Sequence, residues 1–337
     1  LSWGGNSGFK SIDISDPANM TVLDSVTGSY AGGNINVALD RANKKAYGAS
    51  YSGDSVNSFD YTDPSNLTHL DAVQDTTNLN RAWGIKYVPD VDAVAVSVDP
   101  SNQGYLASVD VSNPSSIGGV SRYSSRGDDY MCQVDFMPNS ATSGSYPVVY
   151  VCDAITGSVN LYDYHAANLL VYNTQAGVPS GGSSYTHFTR GMCIDKTNEK
   201  LYSVSESGDA AHKWDISSTY SPSYQTYARQ TTFLNGPINC AVDEEEELLL
   251  IACYDSKGVA ICDCSGNGLT RQGTLVDTTN FTYVWGIDLD RTRKIAFVIT
   301  TTGRLSAVDY SNAPTLTLLG TITGAGGYNV AIDLFDE

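Results

Sequence analysis

The sequence contains little positive charge. Lys and Arg number 19 against 37 Asp and Glu, which gives a formal net charge of −18 over 337 residues, and the basic residues are scattered along the chain. Proteins that bind nucleic acid or anionic membrane surfaces concentrate basic residues into patches. The composition therefore argues against nucleic acid and membrane surfaces as partners.

Long hydrophobic runs are also missing, and no apolar run reaches the length of a membrane span. The chain starts at Leu1 with neither a methionine nor a signal-like segment, so we expect a processed chain that does not insert into a membrane. Tyr (22) and Gly (31) are abundant, together with Ser, Thr and Asn. This composition is common in secreted β-proteins and predicts an extracellular or cell-surface location.

A repeat is the most informative feature that the chain does contain. Seven times, an apolar run that follows a glycine ends in an aspartate, and the spacing is almost even. The copies are Gly8 to Asp13, Gly53 to Asp60, Gly104 to Asp110, Gly157 to Asp163, Gly208 to Asp215, Gly258 to Asp263 and Gly303 to Asp309. A repeat of about 48 residues with only strand-like segments is typical of a β-propeller blade.

A second series of apolar segments lies out of phase with the first, and we interpret it as the innermost strand of each blade. Its members are Ile35 to Asp40, Trp83 to Val88, Tyr130 to Asp135, Arg190 to Asp195, Ile238 to Asp243, Trp285 to Asp290 and Tyr328 to Asp333. The Gly-to-Asp runs are then the third strands. The chain opens at a second strand near Ser2 and closes with an inner strand. The sequence thus predicts one all-β domain over residues 1–337, a seven-bladed propeller with four antiparallel strands per blade, closed by the C-terminal strand joining the N-terminal blade.

Several segments resemble the LVIVD repeat, a propeller repeat of cell-surface and secreted proteins. Strong copies are Ser11 to Pro17, Phe59 to Pro64 and Tyr105 to Pro114, and a fourth, Asp309 to Pro314, carries an insertion. The copies at Asp163 and Asp263 keep the aspartate but lose the following Asn/Asp-Pro. The resemblance implies a propeller outside the cytoplasm, and the family has no shared catalytic residues to transfer.

The repeated aspartate is expected to accept backbone N–H groups at a turn, because Ser, Thr, Asn, Asp and Pro favour turns there. Calcium binding is the alternative, but one aspartate per blade is sparser than the oxygen ligands that calcium needs. Zinc is disfavoured because no CxxC spacing or Cys/His cluster occurs. We therefore predict no metal and no cofactor.

The cysteines suggest disulfide bonds. Cys132 and Cys240 each lie three residues before an inner-strand aspartate, while Cys152 and Cys253 each lie five before a repeat glycine. The duplicated offsets predict Cys132–Cys152 and Cys240–Cys253 bonds, with buried thiols as the alternative. Three cysteines remain, Cys193, Cys262 and Cys264, so at least one is unpaired within the chain or links to another chain.

Three Asn-x-Ser/Thr sequons are candidate N-glycosylation sites. They are Asn19, Asn66 and Asn280. The first two occupy the same place in their repeats, six residues after the motif aspartate, on a loop that enters an outer strand. This predicts a secreted glycoprotein.

The predicted axis offers little for catalysis. All four histidines, His69, His165, His187 and His212, lie outside the inner strands. The positions expected to face the axis are mostly small, and a Lys86/Asp288 pair among them is interpreted as an ion pair rather than an acid–base dyad. We therefore favour a protein without catalytic residues.

One end of the inner strands is a better candidate for binding. It carries Trp83, Tyr130, Arg190, Trp285 and Tyr328 at one register, with Arg81, Asp128 and His187 on adjoining loops. Aromatic rings with interspersed polar groups suit sugars or a protein loop, although rings that wedge between blades would give the same pattern. Arg126-Gly127-Asp128 also lies on one such loop, but a lone RGD tripeptide is common by chance.

These observations favour a noncatalytic extracellular propeller that acts as a structural, adhesive or binding module of a cell surface, filament or matrix. Its expected partners are a protein or carbohydrate of that assembly, or copies of itself. The alternative is a secreted hydrolase or lactonase with a metal-assisted site on the axis.

Overall fold

The structure is a computed structural model that describes residues 2–3, 8–27, 33–99, 104–124, 131–139, 146–166, 169–177, 188–218, 220–325 and 327–333. These residues form antiparallel β-sheets with one 3-10 turn, Pro89–Val91. None of the described residues belongs to a helix with the length and apolarity of a membrane span.

Six sheets of the described chain have four strands in simple up-and-down order. Blade 1 comprises β4 (Asn34–Asp40), β5 (Lys45–Ser50), β6 (Ser55–Asp60) and β7 (Thr68–Gln74). Blade 2 comprises β8 (Ala82–Val88), β9 (Ala93–Val98), β10 (Tyr105–Asp110) and β11 (Gly118–Ser124). Blade 3 comprises β12 (Met131–Met137), β13 (Val148–Asp153), β14 (Val159–Ala166) and β15 (Leu169–Ala176).

The next three blades repeat this plan. Blade 4 comprises β16 (Thr189–Asp195), β17 (Lys200–Ser205), β18 (Ala210–Asp215) and β19 (Ser223–Arg229). Blade 5 comprises β20 (Pro237–Asp243), β21 (Leu248–Cys253), β22 (Gly258–Asp263) and β23 (Thr270–Val276). Blade 6 comprises β24 (Val284–Asp290), β25 (Ile295–Thr300), β26 (Arg304–Asp309) and β27 (Thr317–Thr323).

A smaller sheet joins the two ends of the chain, and we call it the terminal sheet. Its order is β28 (Asn329–Val330), β1 (Ser2–Trp3), β2 (Phe9–Asp13) and β3 (Thr21–Val26). Strands β1 and β28 pair antiparallel over two residues, Ser2 with Val330 and Trp3 with Asn329. The all-β propeller is confirmed, with six complete blades and this smaller sheet.

The two series of repeated segments form the strands that the sequence predicts. In each of the six blades the inner-series segment is the first strand and the Gly-to-Asp run is the third. Inner strands of successive blades contact one another, and the second and third strands bury their apolar side chains between neighbouring blades. One such cluster joins Leu106 of blade 2 to Val149 and Tyr162 of blade 3. The core therefore lies between the blades.

The motif aspartates form the predicted turns. In six of the seven repeats, an aspartate oxygen accepts the backbone N–H two residues later, at 2.7 to 2.9 Å; these are Asp13, Asp60, Asp110, Asp215, Asp263 and Asp309. At Asp13 and Asp263, the hydrogen bonds from Ser15 and Ser265 hold the carboxyl pKa below its ordinary value. The repeated aspartate thus has a structural role at these turns.

Candidate functional site

The start of the inner strands forms a partly exposed aromatic surface, which we call the aromatic face. Trp83 of blade 2 and Trp285 of blade 6 lie with ring centroids 6.3 Å apart, and Tyr328 packs edge-on against Trp285 at 5.3 Å. Blades 2 and 6 are not neighbours, so the two tryptophans meet across the axis. The three rings therefore cover this end of the axis, and none of them is fully buried.

Three tyrosines that the sequence analysis missed extend the face. Tyr51 packs edge-on against Trp83 at 5.6 Å, and Tyr254 packs against both Trp285 at 6.0 Å and Tyr283 at 5.1 Å. Tyr51 and Tyr254 each follow the second strand of their blade directly. Comparing this position across the repeats would have identified both of them.

Two predicted arginines border the aromatic face. The Arg190 guanidinium lies 5.7 Å from the Trp83 ring centroid and forms an ion pair with Glu206 at 2.7 Å. The Arg81 guanidinium lies 5.6 Å from the ring centroid of Tyr51. Five predicted site residues thus come together here, Arg81, Trp83, Arg190, Trp285 and Tyr328. Asp128, Tyr130 and His187, as well as the RGD tripeptide, lie outside the described residues.

A layer of amide side chains lies beneath the aromatic rings. Asn36 donates from Nδ2 to Oε1 of Gln133 at 2.8 Å, and Asn329 donates to Oδ1 of Asn36. These three amides and Asn239 line both a small gap below the tryptophans and a larger cavity on the other side. The amide layer therefore separates the aromatic face from that cavity.

The larger cavity, of about 470 Å³, occupies the axis below the amide layer. Two positions of each inner strand were expected to face the axis. The residues at one of them all line this cavity: Ala38, Lys86, Gln133, Cys193, Ala241, Asp288 and Ala331. Of the residues at the other position, Asn36, Asn239 and Asn329 line it, whereas Gly84, Met131, Gly191 and Gly286 are not among its lining residues. Lys86, however, pairs with Asp135 of the neighbouring blade at 3.0 Å rather than with Asp288. The Asp288 carboxylate instead accepts the backbone N–H groups of Leu289 and Ile332, each at 2.9 Å.

Charges of both signs line this axial cavity. Burial opposes ionisation of Asp135, but the Lys86 and Lys196 ammonium groups outweigh it and hold the pKa of that carboxyl below its usual value. Burial lowers the pKa of Lys196, whose Nζ lies 3.7 Å from the Phe136 ring centroid. No group of three His, Cys, Asp or Glu side chains among the described residues is arranged to hold a metal ion.

The seven cysteines are free thiols in this structure, and all are buried. Cys132 lies in a bulge between Met131 and Val134. Met131 pairs with Asp153 and Val134 pairs with Val151, so Cys132 lies across from Cys152. In blade 5 the register differs, because Cys253 pairs with Pro237 and Cys240 pairs with Ile251. The equal sequence offsets therefore correspond to different cross-strand positions, and both disulfides remain predictions.

The sequons also differ in environment. Asn19 and Asn66 are exposed, while Asn280 is half-buried and its side-chain amide donates to Asp277 at 2.8 Å. Glycosylation at each of the three remains a prediction.

Comparison with known proteins identifies the repeat. The LVIVD repeat family matches residues 5–28 and 100–125, which contain two of the three strong copies found by inspection. The chain is a β-propeller that carries LVIVD repeats. No curated protein matches the sequence of this propeller significantly.

Solved structures share the fold of this LVIVD-repeat propeller at low sequence identity. A periplasmic gluconolactonase of Pseudomonas aeruginosa is 11% identical with a TM-score of 0.78, covering 97% of this chain and 95% of its own. A protein from Lactobacillus plantarum is 13% identical with a TM-score of 0.74, covering 92% and 90%. A putative 6-phosphogluconolactonase of Bacteroides fragilis is 14% identical with a TM-score of 0.58, covering 75% and 72%. These similarities establish the fold alone.

Proposed function

We propose first that the terminal sheet is the seventh blade and closes the ring. Strand β28 contacts both β24 of blade 6 and β4 of blade 1, as an inner strand between them would. Buried Val330 and Ile332 pack with the core of blade 6. Closure by both termini leaves no open blade, which suits a ring that otherwise ends in two free edges.

A repeated set of contacts supports this closure. At the seam between blades 5 and 6, Asp243 accepts from Lys294 at 3.1 Å and Tyr310 at 2.9 Å. At the seam between the terminal sheet and blade 1, which we call the terminal seam, Asp333 accepts from Lys44 at 3.0 Å and Tyr61 at 2.8 Å. A neighbouring arginine completes each set of contacts. Arg291 donates a hydrogen bond to the carbonyl of Val242, and Arg41 donates one to the carbonyl of Ile332. The terminal seam therefore uses the same contacts as a seam inside the ring.

Truncation after Gly327 tests the closure. The shortened chain lacks β28 and the residues that follow it, including Ile332 and Asp333, so it should unfold at lower denaturant concentration than the full chain. Each fully buried Val or Ile side chain contributes about 1.5–3 kcal/mol. A truncated chain with unchanged stability would contradict ring closure.

We propose further that the protein is a noncatalytic binding module of a cell surface, filament or matrix, and that it holds a carbohydrate chain on the aromatic face. The observation that carries this is the cluster of Trp83, Trp285 and Tyr328, partly exposed and bordered by two arginines. Aromatic rings stack on the apolar faces of sugars, and guanidinium groups donate hydrogen bonds to hydroxyls. The predicted glycans, the predicted Cys132–Cys152 disulfide and the secreted location belong to the same proposal.

A glycan-binding screen, followed by calorimetry on the best ligand, tests this role. Trp83→Ala and Trp285→Ala should each weaken binding by about tenfold or more, as expected for a central aromatic contact. Tyr227→Ala is a matched control, since Tyr227 is 41% exposed on the outer strand β19, away from this face. If the two tryptophan variants bind as well as the control, the aromatic face is not the binding site. A protein loop bound there instead would overturn the carbohydrate assignment.

The alternative is a secreted lactonase or hydrolase that uses the axial cavity. It is favoured by the two lactonase neighbours and by a cavity lined with Lys86, Asp135 and Lys196. A metal-assisted site would need a cluster of metal ligands, and among the described residues no group of three His, Cys, Asp or Glu side chains could hold a metal ion. Lactone hydrolysis by the pure protein that is abolished in Asp288→Asn would support this alternative over the binding role.

A further inference from the structure

Two cysteines from neighbouring blades meet at the wall of the axial cavity. Cys193 lies on β16 of blade 4 and Cys240 on β20 of blade 5, and their Sγ atoms are 3.4 Å apart. They are separated by 47 residues in the chain. Inner strands of different blades are not hydrogen-bonded to each other, so this contact joins two separate sheets.

The close approach of the two strands has a local cause. A Cβ atom on Gly191 would lie 2.5 Å from the Cα of Asn239 and 2.6 Å from the carbonyl oxygen of Ile238. Only glycine fits in that space. Gly191 lies two residues before Cys193 and Asn239 directly precedes Cys240, so the missing side chain brings the two strands together where the thiols meet.

The thiol pair is also accessible to a small molecule. Both cysteines line the axial cavity of about 470 Å³, and their exposed fractions are 9% for Cys193 and 4% for Cys240. Both cysteines therefore border a space large enough for a small disulfide compound.

We propose that Cys193 and Cys240 are a redox-active thiol pair that a small disulfide in the axial cavity oxidises to an inter-blade disulfide. One thiolate attacks the small disulfide, giving a mixed disulfide and releasing one small thiol. The second thiolate then attacks the protein sulfur of that mixed disulfide, which forms the Cys193–Cys240 bond and releases the second small thiol. The protein loses two electrons and two protons, and the small disulfide is reduced to two thiols.

This pairing competes with the Cys240–Cys253 bond predicted from the sequence, because one sulfur forms one disulfide. Cys240 pairs across the sheet with Ile251, two residues from Cys253, whereas its sulfur contacts that of Cys193 directly. The contacts therefore favour Cys193 as the partner of Cys240.

Oxidation by hydroxyethyl disulfide under native conditions tests the proposal. Burial raises the pKa of the Cys193 thiol well above its usual value, so the reaction is run for hours in mildly alkaline buffer. The protein is first reduced, freed of reductant, oxidised, alkylated under denaturing conditions and digested. Trypsin releases Cys193 in peptide 191–196, while Cys240 and Cys253 share peptide 230–257. Cleavage after the glutamates at 244–247 then separates those two cysteines.

We expect peptide 191–196 joined to the segment that contains Cys240, with the loss of the Cys193 and Cys240 thiols. Cys253→Ser should form the same link, while Cys240→Ser should instead carry the probe as a mixed disulfide on Cys193. Tryptophan fluorescence is followed throughout to confirm that the protein stays folded. Alkylation of both Cys193 and Cys240 in the oxidised wild-type protein, or a Cys240–Cys253 link, would overturn the proposal.

Discussion

Replacing Tyr61 with phenylalanine should weaken the terminal seam without disturbing its packing. The Tyr61 ring is fully buried, and its hydroxyl donates to Oδ2 of Asp333 at 2.8 Å. The variant keeps the ring but removes this donor from a carboxylate that is itself mostly buried. A hydrogen bond to a charged group contributes about 1.5–3 kcal/mol. We therefore expect the free energy of unfolding to fall by about 2 kcal/mol.

Thermal and denaturant unfolding can measure this change. The unfolding entropy of a chain of this length is about 0.7 kcal/mol/K, so a loss of about 2 kcal/mol lowers Tm by about 3 °C. Tyr310→Phe is the matched control, because Tyr310 donates to Asp243 at 2.9 Å in the same arrangement between blades 5 and 6. The two variants should lose similar stability. If Tyr61→Phe leaves the free energy of unfolding unchanged while Tyr310→Phe lowers it, the reasoning is refuted.

Three further results are expected. Gly286→Ala should lower the free energy of unfolding in urea by more than about 1 kcal/mol, because the new Cβ would lie 2.8 Å from the Cα of Asn329. Gly118→Ala is the control and should be nearly neutral, since a Cβ at Gly118 would have no atom within 4 Å. The free energy of unfolding should fall as the pH drops below about 4. The folded-state pKa values of Asp13 and Asp263 are lowered, so the stability that these carboxylates contribute is present above their unfolded-state pKa and is lost as they become protonated. Equal Tm values at pH 5 and pH 3 would contradict this. Oxidation of the Cys193–Cys240 pair should raise Tm, since closing a loop of that length contributes about 4 kcal/mol in the chain-entropy view, and Cys240→Ser should show no such rise.

The fold was predictable because its determinants are local. Each Gly-to-Asp run carries both a strand and the turn that ends it, and aspartates such as Asp60 form their turn bonds within two residues. Such short-range features can be recognised from spacing alone. The inner strands and the strand order of each blade followed from the same repeat.

The site was predicted only in part, because it depends on contacts between blades and on bulges. Trp83 and Trp285 were found by their common register, but their meeting across the axis could not be deduced from the sequence. Lys86 was assigned to Asp288 because both occupy the same position in their strands, whereas Asp135 was interpreted only as a strand end. A bulge between Pro237 and Asn239 alters the register near Cys240, and nothing in the spacing of the cysteines indicates it.

The amide layer has a consequence for the order of folding. Asn36 bonds to Gln133, 97 residues away, and Asn329 bonds to Asn36, 293 residues away. Because contacts between distant residues form only after the intervening chain has been brought together, these bonds must form late. On the ribosome, Asn36 cannot receive its bond from Asn329 until almost the whole chain has been synthesised. The assembled amide layer thus marks a propeller whose two ends have met.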